Sequence, residues 1–315
     1  MSIRDTLWEL KKSLPFFRQK ELMKKMQLLE ERLETLHYMI LTAADHNMKD
    51  QQIVCEISLA EHCNLNCYGC DHFAPLAKPE FADLEESRRD LTRLAKLFGH
   101  RITEFYLAGG EPLLHPEITK FMEVARKAFP NAKIGIVTNG ILLPKQPEEF
   151  WLACKKYNIA IQPTKYPIDV DYEAMGERAQ QYGVSYCCWG STNKAQKTST
   201  YFPLNTQGFH RGSWNFTACL RAGHNLSLEH GRLYTCSVAG KVRHFNEYFG
   251  KDLKMSPKDS IDIYAVKSEK EIDEYLLHPI PFCEYCTHWH IDLGMPWHRA
   301  MPWQQSRREI REWTL

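Results

Sequence analysis

Residues 53–70, with the sequence IVCEISLAEHCNLNCYGC, join an apolar run to three closely spaced cysteines. The run Ile53–Ala60 has the length and the aliphatic composition of a buried strand. Cys63, Cys67 and Cys70 follow it with the spacing Cys-x3-Cys-x2-Cys. Three thiolates can bind one metal centre, but an iron–sulfur cluster usually has four cysteine ligands. The sequence therefore predicts a cluster with one open iron, which is typical of catalytic rather than structural sites.

Further apolar runs alternate with amphipathic segments at intervals of about 25 residues, the pattern of repeated strand–helix units. The predicted strands are Ile53–Ala60, Ile102–Ala108, Lys133–Val137, Ile159–Gln162 and Val184–Trp189. The predicted helices are Leu84–Phe98, Pro116–Phe129, Pro147–Tyr157 and Tyr172–Tyr182. This alternation predicts an α/β fold with a parallel sheet, whose active site lies at the carboxyl ends of the strands.

Two short motifs stand at the ends of the second and third predicted strands. The first is Gly109-Gly110-Glu111-Pro112, and the second is Thr138-Asn139-Gly140. A Gly-Gly or Asn-Gly pair alone marks only a turn. Because all three motifs follow predicted strands in order, we interpret them as parts of one site.

The three motifs together resemble those of the radical S-adenosylmethionine (radical SAM) enzymes. The resemblance implies a partial (β/α)6 barrel and a [4Fe–4S] cluster on Cys63, Cys67 and Cys70. The open iron of that cluster would bind the methionine moiety of SAM. The segment Gly109–Pro112 would lie along the methionine, and Thr138 and Asn139 would lie near the ribose. A zinc site on the same cysteines is the alternative, although zinc sites favour paired Cys-x2–4-Cys spacings.

The residue that covers the adenine is open in this sequence. The family often has an aromatic residue immediately before the third cysteine, where this chain has Gly69. Tyr68 and Phe73 are the two candidates for that contact. Gln162, at the end of the fourth predicted strand, is a further predicted contact of SAM or substrate.

A second cysteine set follows in the last third of the chain. Cys219 and Cys236 flank a predicted β-hairpin with its turn at His230-Gly231, and Cys283 and Cys286 form a Cys-x2-Cys pair. Four thiolates can hold either a tetrahedral zinc ion or a [4Fe–4S] cluster, and the spacing leaves both open.

The second set is similar to the auxiliary-cluster region of the twitch and SPASM radical SAM enzymes. The full SPASM pattern continues with more cysteines, but none follows Cys286. The resemblance therefore implies the shorter twitch form, with one auxiliary [4Fe–4S] cluster on four cysteines. Such a cluster would accept an electron from a substrate radical.

Three residues near the fourth and fifth predicted strands are candidates for catalysis. Cys187 and Cys188 are adjacent, so only one of them points into a barrel, where its thiol would donate a hydrogen atom to a substrate radical. Lys165 is a candidate general base. The alternatives are a small core residue for each cysteine and a solvated lysine.

The N-terminal 50 residues have a different pattern. Apolar residues recur at spacings of four and three, which predicts a helix with nearly three heptads; they are Leu22, Met26, Leu29, Leu33, Leu36 and Ile40. This helix packs on the protein's own body or forms a coiled coil with a second copy or a partner. We therefore expect a helical extension (1–50), a radical SAM barrel (51–192) and a region with the connection, the twitch-like domain and a C-terminal wrap (193–315).

Composition excludes several classes of protein. The chain has 315 residues, a net charge of +1 and 25% charged residues, so no basic excess indicates nucleic-acid binding. It has no apolar stretch of about 18 residues for a membrane span, and its N-terminus lacks the features of a signal peptide. Eleven cysteines without an export signal predict metal ligands in a reducing cytoplasm.

The resemblance implies reductive cleavage of SAM, with flavodoxin or ferredoxin as reductant, and hydrogen abstraction from a substrate. We expect a hydroxylated small molecule such as a sugar, an aminocyclitol or a nucleotide-linked sugar, oxidised with the auxiliary cluster as electron acceptor. The alternatives are an epimerase that uses Cys187 or Cys188, a peptide-modifying enzyme, and a non-catalytic zinc or iron–sulfur scaffold that recruits a partner through the N-terminal helix.

Overall fold

The computed structural model describes residues 22–25, 29, 53–67, 69–188, 204–208, 212–219, 221–286 and 309–314. The chain divides into two compact units, Met1–Gln51 and Gln52–Leu315. In the first unit, residues 22–25 and 29 are helical, and the side chains of Met23 and Leu29 are about half exposed. The other predicted heptad positions, from Met26 to Ile40, lie outside the described residues, so the coiled coil stays a prediction.

The second unit is built on one mixed sheet with the strand order β4-β3-β2-β1-β5-β6-β7. The strands are β1 (Ile53–Ala60), β2 (Ile102–Gly109), β3 (Lys133–Thr138), β4 (Ile159–Pro163), β5 (Asn225–Glu229), β6 (Arg232–Tyr234) and β7 (Ile261–Asp262). Strands β1 to β4 pair in parallel, β5 pairs in parallel with β1, and β6 and β7 are antiparallel. This α/β arrangement is consistent with a partial barrel.

The described helices of this unit lie between or after the strands in chain order. They are α1 (Leu84–Phe98), α2 (Ile118–Ala128), α3 (Glu148–Lys156), α4 (Tyr172–Gln181), α5 (Gly212–Ala218), α6 (Ser237–Phe249) and α7 (Glu269–Leu276). Helix α1 begins where the Asp83 carboxylate accepts a hydrogen bond from the Glu86 amide at 2.7 Å. Its apolar stripe, which includes Leu91 and Leu94, is fully buried.

The alternation of side chains along the strands separates the core from the interior of the barrel. Residues such as Phe105 and Ile136 face the helices and are fully buried. The opposite face carries a row of residues in register across the sheet: Ser227, Glu56, Tyr106, Gly135 and Ala160. Polar side chains therefore occupy the middle of the inner face, and the two smallest residues of the row lie on β3 and β4.

The prediction of a fifth strand at Val184–Trp189 is wrong for its described part. Only Tyr186 forms a bridge there, with Ile161 of β4. The Val184 amide donates to the Ala179 carbonyl at 2.9 Å, so the chain is still closing helix α4 where the strand was expected to begin. Trp189 lies outside the described residues.

The strand that flanks β1 on its other side is β5, which belongs to the predicted auxiliary region. The predicted hairpin is confirmed: β5 and β6 pair around His230 and Gly231, which both have positive φ (46° and 72°), as a two-residue hairpin turn of type I′ requires. No described helix is long and apolar enough to cross a membrane.

Candidate cluster and cofactor site

A cavity of about 220 Å³ opens at the carboxyl ends of the parallel strands. Residues from all three motifs line it: Cys63, Cys67, Cys70, Gly109, Gly110, Thr138 and Asn139. Strands β1, β2 and β3 are adjacent and parallel, so the loops that follow them meet at one edge of the sheet. The fold therefore brings together residues that lie up to 76 positions apart in the chain.

The three cysteines of the first loop are close enough to affect one another. Burial, and then the charges of Glu111, Cys67 and Cys70, raise the pKa of the Cys63 thiol well above its ordinary value. Burial and the neighbouring Asp71 and Cys67 raise the pKa of Cys70 to about 11. Because such thiols are protonated at neutral pH, metal binding here must displace protons.

The three cysteines of this loop line one cavity, which suits an iron–sulfur cluster. Among the residues that the structure describes, no three His, Cys, Asp or Glu side chains are placed to hold one metal ion. A tetrahedral zinc needs its ligands around one point, whereas each cysteine of a [4Fe–4S] cluster binds a different iron. Three cysteines lining a shared cavity therefore fit the [4Fe–4S] cluster.

The Gly-Gly pair of the second motif packs directly against the backbone that leads into the cysteine loop. The Gly110 amide donates to the Ala60 carbonyl at 2.7 Å, and the Glu111 amide donates to the His62 carbonyl at 3.1 Å. A Cβ at Gly110 would lie 2.2 Å from the His62 oxygen, and Gly109 has a φ of 117°. Glycine is required at both positions because the two loops approach so closely.

Glu111 connects the second motif to the third. Its carboxylate accepts hydrogen bonds from the Thr138 hydroxyl at 2.6 Å, the Asn139 amide at 2.9 Å and the Leu113 amide at 3.1 Å. The side chain is fully buried and does not line the cavity, and neither does Pro112. Within this segment, Gly109 and Gly110 are therefore the residues that line the cavity, and the predicted cofactor contacts of the segment stay a prediction.

Asn139 and Tyr166 contact the cysteine loop directly. The Asn139 side-chain amide lies 3.6 Å from the Cys63 sulfur and donates to the Asn64 side-chain oxygen at 2.7 Å. Tyr166 lines the cavity and is hydrogen-bonded to Cys67; burial and the charges of all three cysteines raise the pKa of its phenol. We did not predict Tyr166 from the sequence, and its position three residues beyond β4 was the one available signal.

The remaining predicted contacts are more scattered. Tyr68 lies outside the described residues. Phe73 is buried, and its ring packs on Phe245 at 5.9 Å rather than lining the cavity. Gln162 lies on the inner face of the sheet, where it is hydrogen-bonded to Tyr106 and its Oε1 has no partner among the described residues.

The three predicted catalytic residues lie beside the cavity and do not line it. Cys187 is exposed, and its charge acts on Tyr106, which is on the inner face. The pKa of Cys188 is raised by burial and lowered by nearby Lys165, with a net rise. Of the two thiols, Cys187 is therefore the one on the side of the barrel interior.

The four cysteines of the second set are also grouped. Burial raises the pKa of Cys236 to about 11, with a contribution from Cys219. Burial, and then the charges of Cys236 and Cys219, raise the pKa values of Cys283 and Cys286. Asn215 of α5 donates to the carbonyls of Cys283 and Cys286 at 2.7 and 2.6 Å, which fixes the Cys-x2-Cys turn.

Cys236 is the N-cap residue of α6. Burial raises the pKa of its thiol, and the backbone amides of Ala239 and Val238 at the start of the helix lower it. Amides at a helix N-terminus stabilise negative charge, which suits a metal ligand. The second set is therefore preorganised at Cys236 and at the Cys283–Cys286 turn.

A partly buried chain of ionic contacts lies along the cavity wall, and it was not predicted from the sequence. Glu56 accepts from His72 at 2.9 Å, His72 lies 3.3 Å from Asp71, and Asp71 is paired with Arg221. Although burial opposes both charges, Glu56 and Asp71 hold the pKa of His72 well above its usual range, and Arg221 holds that of Asp71 well below. Asp71 and His72 follow the third cysteine directly, which could have indicated them.

A second buried network joins α6 to the start of the cysteine loop. Lys241, which is 1% exposed, donates to Glu61 at 2.7 Å and to Glu229 at 2.6 Å. His244 also contacts Glu61, at 2.7 Å. Glu61 lies two residues before Cys63, and α6 begins directly after Cys236, so this network connects the two cysteine sets.

The end of the chain also contacts the first loop. The indole of Trp313 donates to the Cys70 carbonyl at 2.9 Å and is buried. The Trp313 carbonyl accepts from Leu204, which bridges to Cys286. Residues 309–314 thus contact the first cysteine set at Cys70 directly and the second set at Cys286 through Leu204.

Comparison with known proteins supports the assignment of the barrel segment. The radical SAM superfamily profile matches residues 57–172. The GTP 3′,8-cyclase of Microcystis aeruginosa is 34% identical over 110 residues, which cover 33% of this chain and 33% of that protein. Molybdenum cofactor biosynthesis protein 1 of Bos taurus is 39% identical over 92 residues, covering 28% of this chain and 14% of that protein. The match thus spans a third or less of these relatives.

Solved structures with a similar chain path include BtrN in complex with AdoMet and 2-DOIA, with a TM-score of 0.47 and 14% identity. That alignment covers 75% of this chain and 93% of BtrN. The enzyme anSMEcpe with bound AdoMet has a TM-score of 0.40 and 13% identity over 75% of this chain and 90% of its own. Similarities at this level carry no argument about substrate.

Proposed function

We propose, on the premise that residues 57–172 belong to the radical SAM superfamily, that the whole chain is an enzyme that oxidises a hydroxylated small molecule. The family implies binding of SAM and a [4Fe–4S] cluster. The observation that carries the proposal is the single cavity lined by Cys63, Cys67, Cys70 and the residues of two SAM motifs. When bound, the cluster and SAM supply an electron and a 5′-deoxyadenosyl radical that abstracts hydrogen.

The chain's own residues would bind and orient these groups. Cys63, Cys67 and Cys70 would hold three irons, and the backbone of Gly109 and Gly110 would border the methionine. Glu111 positions Thr138 and Asn139 at the cavity wall, where they would meet the ribose. The ring of Tyr166 is placed to restrict access of water to the cysteines.

We further propose that Cys219, Cys236, Cys283 and Cys286 hold an auxiliary [4Fe–4S] cluster of the twitch type. The support is their mutual electrostatic interaction, the helix amides at Cys236 and the Asn215 contacts. Four protein ligands would leave no iron open for substrate. The role that remains is acceptance of the electron that a substrate radical loses when it becomes a carbonyl compound.

Epimerisation is a second candidate, and one observation favours it. The Cys187 thiol lies on the side of Tyr106, whose ring lines the cavity. A thiol there would return a hydrogen atom to a substrate radical instead of letting it be oxidised. Cys187→Ala would abolish turnover of an epimerase, and it would leave an oxidation unaffected.

The experiment is anaerobic reconstitution of the full chain with iron and sulfide. We expect about eight irons per chain from two cubanes, and 5′-deoxyadenosine formation from SAM under dithionite. The triple variant Cys63→Ala/Cys67→Ala/Cys70→Ala should lose SAM cleavage, whereas Cys154→Ala, a buried cysteine outside both sets, should not. Cleavage that persists in the triple variant would refute the SAM-site assignment.

The auxiliary cluster has its own test. A double variant, Cys283→Ala/Cys286→Ala, should retain about four irons and still cleave SAM. A wild-type chain with about four irons and one equivalent of zinc would instead assign the second set to a structural zinc.

A further inference from the structure

The part of the cavity nearest the middle of the sheet is lined by charged side chains that the SAM motifs do not account for. Glu56 of β1 lies on the inner face, in register with Tyr106 on one side and Ser227 on the other. Both Glu56 and Tyr106 line the cavity, together with His72, Asp71 and Arg221. Glu56 and Tyr106 lie on the inner face of the sheet, and Asp71 and His72 directly follow Cys70.

The carboxylate of Glu56 is held on one side only. Its Oε1 is bonded to the His72 imidazole at 2.9 Å, and its Oε2 accepts no hydrogen bond from a described residue. The side chain is 21% exposed, so the second oxygen has access to the cavity. His72 therefore fixes the direction of the carboxylate and leaves one acceptor for a bound molecule.

The space that Glu56 faces is the cavity of about 220 Å³. Beyond Tyr106 the row continues with Gly135 and Ala160, but the Gln162 side chain lies over Gly135, where an added Cβ would be 2.9 Å from the Gln162 Cδ. The phenol of Tyr106 donates to Glu104, and the residue lines the cavity together with Glu56. The ligand space available to Glu56 is therefore the cavity itself.

The hydrogen-bond partners of the cavity-lining residues determine which ligands suit this space. Arg221 is paired with Asp71, and the His72 imidazole is bonded to Glu56 and lies 3.3 Å from Asp71. This network leaves the Oε2 acceptor of Glu56 toward the cavity. A phosphate or carboxylate would therefore meet a second acceptor, whereas a hydroxyl or ammonium group would find a partner.

From this geometry we infer that Glu56 is the anchor for the substrate, and that the substrate is a hydroxyl- or amine-bearing molecule without phosphate or carboxylate groups. The inference rests on the proposed function, because it takes the cavity beside the SAM motifs as the substrate site. Of the expected classes, it retains the sugars and aminocyclitols and excludes nucleotide-linked sugars. His72 is a positioning residue that orients Glu56.

The test is anaerobic calorimetry of the reconstituted, SAM-loaded chain with three probes: glucosamine, glucose and glucose 6-phosphate. We expect glucosamine to bind at least about tenfold more tightly than glucose 6-phosphate, as loss of a charge-assisted hydrogen bond implies. Glu56→Gln keeps a partner for His72 and should weaken glucosamine by about tenfold while affecting glucose less. Glu56→Leu should weaken both, and Glu123→Gln, on exposed α2, should weaken neither.

Three results would overturn the inference: glucose 6-phosphate binding as tightly as glucosamine, unchanged binding in both Glu56 variants, or no binding of any probe at millimolar concentration. Melting temperatures show whether each variant folds. If Glu56→Leu does not fold, Glu56→Gln still tests the inference. If the proposed function is wrong, the wild-type chain will form no 5′-deoxyadenosine under dithionite, regardless of which probes bind. That result is therefore distinct from the three above.

Discussion

Glu111 shows how one side chain can carry the geometry of two motifs. It lies 27 residues before Thr138, yet its carboxylate receives the Thr138 hydroxyl and the Asn139 amide. A buried carboxylate is costly unless it is hydrogen-bonded, and three donors meet that need here. The second and third motifs are therefore one structural unit.

The first prediction concerns the pH dependence of stability. Burial outweighs the three hydrogen bonds and raises the pKa of Glu111 to about 7. The folded state then keeps a proton that the unfolded state has lost, so the free energy of unfolding falls as pH rises from about 4.5 to 7, by about 3 kcal/mol. Urea unfolding of the metal-free protein at pH 5 and pH 7.5 measures this difference.

Glu111→Gln removes the titrating group, so this contribution to the pH dependence should vanish. The variant should also be less stable at pH 5, because the new amide would direct its N–H groups at backbone or hydroxyl donors. Glu123→Gln, an exposed residue, should keep the wild-type slope. An equal slope in wild type and Glu111→Gln would contradict the prediction.

The second prediction concerns Gly110, where the close approach involves backbone on both sides. Gly110→Ala would place a Cβ 2.2 Å from the His62 carbonyl oxygen, which no side-chain rotation can relieve. We expect a loss of about 2 kcal/mol or more in stability, and SAM binding weakened in calorimetry. Gly240→Ala, in α6 with neighbours no closer than 3.4 Å, should be neutral or slightly stabilising. Equal effects of the two variants would refute the argument.

At this scale the sequence indicated the cysteines and glycines that line the cavity, but not the residues that contact them. The cysteines and the glycines carry spacing signals. Arg221 has no local sequence signal, and Tyr166 has only its place three residues beyond β4, because the fold is what brings both residues to the cavity.

Helix α6 was not predicted, although it carries the network between the two cysteine sets. Lys241 and His244 lie on one face of this helix, and both contact the Glu61 carboxylate. Removing one partner from a buried ion pair leaves an uncompensated charge.

The third prediction follows from that network. Lys241→Met keeps the length and apolar stem of the side chain but leaves Glu61 and Glu229 without their shared cation. We expect a loss of about 3–5 kcal/mol in the free energy of unfolding, measured in urea. Lys270→Met, at an 84% exposed position on α7, should change stability by less than about 0.5 kcal/mol. Losses of similar size in both variants would show that the network does not stabilise the fold.

The strands and helices that show a regular spacing of apolar residues, β1 to β4 and α1 to α4, begin and end within two residues of their predicted bounds. Strand β1 and helix α1 match their expected bounds, because apolar alternation and the Asp83 cap are local signals. The pairing of β5 with β1 carries no local signal, since the two strands are far apart in the sequence. Long-range parallel pairing has to be found in the structure.

At the scale of the whole molecule, residues 309–314 are hydrogen-bonded to the first cysteine loop through Trp313. Trp313→Phe would remove the hydrogen bond to the Cys70 carbonyl and keep most of the buried ring. The fourth prediction is a loss of about 1 kcal/mol in stability together with a changed electron paramagnetic resonance signal of the SAM-binding cluster.

Trp151→Phe is the matched control, because Trp151 is equally buried and its indole N–H has no partner among the described residues. It makes the same change of side chain without the loss of a hydrogen bond. If the cluster signal of Trp313→Phe equals that of wild type, the contact does not position the first loop.

The place of β5 in the sheet has a consequence for how the protein matures. Asn225 follows Ala60 by 165 positions, so at about 5–20 residues per second the ribosome takes roughly 8–33 seconds to supply the second neighbour of β1. During that time one edge of β1 is unpaired, and the cavity lacks the wall that Arg221 and Asn225 provide. The nascent chain thus exposes its cysteine loop until β5 has been synthesised. A cluster that binds before that point would lack this wall of its site.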